Sequence, residues 1–390
     1  MPLSPPPLLR PALLAALLLA AGCETTRVAP ATGGDLQLAE DERRLWLRVE
    51  QEHRAIEQSG FVASWPEVET YLNDVLRTLH PVPLREGTPF HIRVIVDPTL
   101  NAFALPNGAM YIHSGLLARL ENEAQLAAIL SHEITHATHR HGLLSYRQVK
   151  NQTAFLAAFT VGTGGIGGLL GGVGVLASVS GYSQDLEREA DRVGFRMLVE
   201  RGYDPREAPQ VFRLFRAEAK RSKLKEPFFF GSHPRLSERI ASYEQLVAAL
   251  PPERRQGERR TDAYRAILPR VLVENAAAAL RAGDFDFAKS CAELGLELQP
   301  DHLAARFQLA ETLRRRDAAG DASAALAAYR ALVTQDRSHA EAHRGIGLVA
   351  LKLGEKTEAA AAFRRYLELR PAADDRAYIE TYLRQCETDS

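Results

Sequence analysis

Cysteine, methionine and tryptophan are scarce in this chain, with 3, 3 and 2 copies in 390 residues. After Cys23 only Cys291 and Cys386 remain, so at most one internal disulfide could form, and two buried thiols fit equally well. Excess charge is also missing. Against 48 basic side chains stand 49 acidic ones, for a net charge of −1, which gives no sign of a polybasic face for nucleic acid or an anionic membrane. No apolar run reaches the roughly 20 residues of a membrane-spanning helix. The charge-free stretch Asn151 to Gln184 is 34 residues long, but nine glycines between 162 and 181 break it. It reads as a glycine-rich lid or hairpin near an active site, a segment dipping into lipid, or a buried hairpin. What the chain does have is 46% hydrophobic residues and length enough for two ordinary domains.

The amino-terminus stands apart from any core. Arg10 precedes the apolar run Pro11 to Ala21, which has the length of a signal-peptide hydrophobic segment. It ends at Ala20-Ala21-Gly22-Cys23. This resembles a bacterial lipoprotein signal, in which the cysteine becomes the lipidated first residue; an ordinary cleaved signal with an incidental cysteine is the alternative. Glu24 follows where inner-membrane lipoproteins carry Asp, so the resemblance implies a periplasmic protein anchored to the outer membrane through Cys23. Residues 1–22 are then a signal peptide and 23–35 a flexible tether.

Residues 36–250 form the first expected domain, with a helix opening at Ser64-Trp65-Pro66-Glu67 and running to Leu79. Phe90 to Val96 and Ala109 to His113 read as strands, with an Asn107-Gly108 turn before the second. A linker is expected at 251–262. From 263 to 390 the composition turns to Ala, Leu and Arg at helical spacing. Gly283 and Pro300 recur as Gly354 and Pro371, each pair 71 residues apart, which is two 34-residue repeats plus a short insertion. This resembles tetratricopeptide repeats, stacked helical pairs whose groove holds peptide segments.

The chemistry concentrates at His132-Glu133-Ile134-Thr135-His136. On a helix, residues four apart share a face, so both imidazoles can bind one cation while Glu133 accepts a proton from a water. The helix has marked ends: Asn122 as cap with Gln125 three residues on, and Gly142 after a last turn basic at Arg140. A catalytic zinc takes three protein ligands. Glu187 and Asp191, four apart on a helix starting near Ser183, can supply one ligand and one acid that orients a histidine or donates a hydrogen bond. Leu186, Ala190, Val193 and Met197 are expected to form that helix's apolar face, and a solvated charged face is the plainer reading of the two acids. His113, His139 and His141 read as structural or solvent-facing.

Asn101 to Gly108, the His132–His136 motif, Glu187-Arg188-Glu189-Ala190-Asp191 and Ser232-His233-Pro234 occur in the order seen in one family. They resemble the membrane-associated and periplasmic gluzincins, which include the CAAX prenyl proteases, HtpX and the beta-barrel assembly-enhancing proteases. The resemblance covers about residues 36–250, and the repeats bring it closest to the last group. It implies an α+β metallopeptidase domain, mostly helical with a small sheet, followed by an all-α repeat solenoid. It also implies one zinc per chain on His132, His136 and Glu187, Glu133 as general base and Asp191 as catalytic acid. A histidine in such a Ser-His-Pro loop can occupy the open zinc position and hold the enzyme latent, so His233 is either a latch or a surface residue.

The expected reaction is peptide hydrolysis of misfolded or stalled outer-membrane proteins, with the beta-barrel assembly machinery as a partner for the repeats. The strand Ala109 to His113 is the expected edge for an extended substrate. A chaperone or docking factor with a secondary metal site is the alternative.

Overall fold

The computed structural model describes residues 28–31, 38–85, 88–148, 182–221 and 236–388. The expected signal peptide, Cys23, most of Asn151 to Gln184 and His233 lie outside the described residues. Helices α1 (Glu40–Gln58) and α2 (Pro66–Leu79) precede a sheet of β1 (His91–Ile95), β2 (Ala102–Ala104) and β3 (Ala109–His113). Then follow α3 (Ser114–Leu117), α4 (Glu123–Thr138), α5 (His141–Gln148), α6 (Gln184–Glu200), α7 (Glu207–Arg221) and α8 (Leu236–Ala249). The chain is thus mostly helical with one small sheet. Among the described residues no helix is long and apolar enough to cross a membrane.

The sheet order is β1-β3-β2, with β1 parallel and β2 antiparallel to β3. β3 is therefore the central strand, buried at every position, and cannot receive a substrate strand as expected. Both its edges are spent. Beyond β1, the segment Phe61 to Ala63 already pairs through Ala63 N–H to Val94 O and Val96 N–H to Phe61 O. β2 is the remaining edge, and its three residues are too short for any alternation to announce it. One face of the sheet carries Leu45 and Val49 of α1 with Leu143 and Tyr146 of α5. The other face, through Ile92, Val94 and Ile112, joins the main core of α2, α4, α6 and α7.

That core does not stop at the expected linker. Residues after Pro251 run back along the domain, with Glu258 N–H on Gly202 O and Asp204 N–H on Glu258 O. Helix α9 (Thr261–Ala282) then sinks Tyr264, Leu268 and Leu272 into the same cluster. Helix α10 (Phe285–Leu298) adds Phe287 and Cys291 to that cluster, and α11 (Leu303–Arg316), α12 (Asp321–Gln335), α13 (Ala340–Leu353), α14 (Lys356–Leu369) and α15 (Arg376–Thr388) continue around a second core. The repeated glycines Gly283 and Gly354 both close helices at φ 80° and 81°, which explains their spacing. No disulfide joins Cys291 and Cys386, and both are buried.

Candidate metal centre

Helix α4 is fixed at its start by local chemistry. Asn122 Oδ1 accepts the Gln125 N–H at 3.0 Å, and Gln125 Oε1 accepts the Glu121 N–H at 2.9 Å, one residue earlier than a reciprocal capping box would place it. The end differs from expectation. Gly142 lies inside α5, and the left-handed residue is Arg140, at φ 57°. An ion pair with Glu42 of α1 holds it there, and such a tertiary contact can support a conformation that arginine alone disfavours.

Every residue of α4 is buried. His132 Nε2 and His136 Nε2 stand 3.0 Å apart, with the rings at 75°. Helix α6, capped by Ser183, lays Glu187 across them, with Oε2 3.6 Å from His132 Nε2 and Oε1 3.4 Å from His136 Nε2. The three donors lie within 4.8 Å of one another. A tetrahedral cation with bonds of about 2.1 Å would set its ligand atoms about 3.4 Å apart. The observed spacings bracket that value, so the donor set fits a divalent metal.

The acidic face of α6 is a buried face: Glu187, Asp191, Gly194 and Leu198 point inward together. Val193 and Met197, expected in the apolar stripe, are half-buried. The face is turned by Gly194, where a Cβ would stand 3.0 Å from the His132 nitrogen and the Ser131 carbonyl. The missing side chain lets α6 approach the backbone of α4, which brings Glu187 within reach.

Two further layers hold the histidines. Asp191 Oδ1 lies 3.0 Å from His132 Nδ1 and accepts the Tyr243 hydroxyl at 2.9 Å. Burial pushes this carboxyl up, but Arg239 and His132 outweigh it and hold it at about 2. His136 Nδ1 meets His141 Nδ1 at 2.9 Å. His141 is fully buried, and burial together with His139 and His132 pushes its pKa down to about 3. Tyr182 stacks on His136 at 3.9 Å and 14°. Glu133 is buried beside His132, with 3% of its surface exposed. Sequence reasoning missed Arg239, Tyr243 and Gly194, and it gave His141 no role at the centre. A small cleft lined by His136, Tyr182, Ala104, Pro106, Trp46 and Leu84 opens beside the histidines.

Residues 66–247 match the model of peptidase family M48, and residues 313–374 match a tetratricopeptide repeat. The chain carries an M48 peptidase domain. It is 27% identical over 199 residues to the beta-barrel assembly-enhancing protease of Yersinia pestis, covering 48% of this chain and 40% of that protein. The protein of that name from Escherichia coli is 28% identical over 209 residues, covering 51% and 43%. The mitochondrial metalloendopeptidase OMA1 of Schizosaccharomyces pombe is 29% identical over 210 residues, covering 53% and 60%. The chain spans less than two thirds of the length of these relatives.

Proposed function

We propose that this chain is a zinc-dependent endopeptidase that hydrolyses misfolded or stalled envelope proteins, with the repeats docking substrate or partner. The observation that carries the reading is the buried triangle of His132, His136 and Glu187, spaced as a tetrahedral cation requires. A bound zinc would supply a polarised water and a Lewis acid for the scissile carbonyl. Glu133 would accept a proton from the attacking water and return it to the leaving amine. Asp191 acts as an orienting group, because its oxygen meets His132 Nδ1 and it is held ionised.

Strand β2 supports a peptide substrate. His113 N–H bonds Asn101 O and Leu105 N–H bonds Ala109 O, so Ala102 and Ala104 turn their own N–H and C=O away from β3. Ala104 also lines the cleft beside His136. An extended substrate pairing there would run past the metal ligands. Relatives named for enhancing beta-barrel assembly favour a periplasmic site of action, with Cys23 as lipid anchor and the assembly machinery as partner.

The test is casein and envelope-protein degradation by the wild type and by Glu133→Gln. The variant should keep its zinc and lose cleavage by at least 100-fold. A Glu133→Gln strain that rescues every defect of a deletion would instead favour the chaperone or docking reading.

A further inference from the structure

The metal centre concentrates negative charge in a place water barely reaches. Glu133, Glu187 and Asp191 are exposed by only 3%, 5% and 4%. Buried carboxylates so close together are costly unless cations meet them.

Arg239 of α8 meets two of these carboxylates. It is 5% exposed. Its Nε donates to Asp191 Oδ2 at 3.0 Å and its Nη2 to Asp191 Oδ1, a two-point fork that lysine cannot make. Nη2 also lies 3.1 Å from His132 Nδ1, and Nη1 is 3.5 Å from Glu187 Oε2. The guanidinium rests 4.3 Å above the Phe212 ring, itself stacked on Tyr243. Tyr243, one turn further along α8, donates to Asp191 from the same face. Aromatic packing therefore fixes where the fork points, and the fork fixes the carboxylate against the histidine.

We propose that Arg239 is a positioning residue of the metal centre. It locks Asp191 onto His132 and sets a fixed positive charge between Asp191 and Glu187. The proposal rests on the metallopeptidase reading of the same site, and two separable effects follow. Geometry is set by the fork, and charge balance by the cation alone.

The full chain would be compared as wild type, Arg239→Gln, Arg239→Lys and Tyr243→Phe, reading kcat and KM on an unfolded substrate and thermal melting with zinc or chelator. Arg239→Gln should lower kcat about 10–100-fold with KM little changed. Its zinc-free form, with Asp191 and Glu187 deprived of that charge, should lose most stability, so zinc should raise its melting temperature by more than it raises the wild type's. Arg239→Lys should restore the wild-type zinc shift but leave kcat depressed. Tyr243→Phe keeps the charge and should show a smaller kcat loss with a normal zinc shift. The proposal is overturned if Arg239→Gln melts lower by the same amount with and without zinc while kcat holds. It is equally overturned if Arg239→Lys recovers full kcat. A wild type with no Glu133-dependent cleavage would sink the peptidase reading instead, and the zinc shifts would still judge Arg239.

Discussion

Gly194 sits so close to His132 that a Cβ on it would lie 3.0 Å from the His132 backbone nitrogen. Alanine favours a helix over glycine by about 1 kcal/mol, so a slack interface would make Gly194→Ala more stable. The tight one should instead cost about 1–3 kcal/mol through overpacking and pull Glu187 away from the histidines. Thermal melting and a competitive zinc titration check both consequences. Higher stability with unchanged zinc affinity would contradict the close approach.

Ala104 tests the substrate edge. Its N–H points away from β3, so Ala104→Pro removes no ladder bond. The expected outcome is an unchanged melting temperature with KM raised about tenfold, the value of one lost hydrogen bond. An unchanged KM would mean that substrate does not pair with β2.

Much of this was legible in the sequence because the signals are local. The Asn122 and Ser183 caps and the Pro66 start each depend on neighbours a few residues away. The meeting of His132, His136 and Glu187 was legible because fixed spacing on two helices already puts them on defined faces. What was not legible depends on distant partners. Arg140 takes the left-handed turn assigned to Gly142 because Glu42, 98 residues earlier, holds it. Arg239 meets Asp191 across 48 residues, and nothing around either marks the pairing. The central position of β3 follows from a three-residue strand with no periodicity to read.

Asp97 makes stability depend on acid. Burial pushes its carboxyl up, but hydrogen bonds from His113 and Thr99 prevail and hold it at about 2, against 3.8 ordinarily. A group lowered in the fold stabilises it above its ordinary pKa and loses that contribution as the pH falls through the folded value. The gap is worth about 2 kcal/mol. Asp97→Asn should therefore be less stable than wild type at about pH 6, and the difference should close as the pH drops from about 4 towards 2. Urea unfolding across that range measures it, and a difference independent of pH would refute the assignment.

The most direct test of the metal centre is an anomalous difference map at the zinc edge from crystals of the full chain. The account predicts one peak per chain, about 2.0–2.2 Å from His132 Nε2, His136 Nε2 and a Glu187 oxygen. No peak in zinc-supplemented crystals, or a single peak held by other residues, would contradict it.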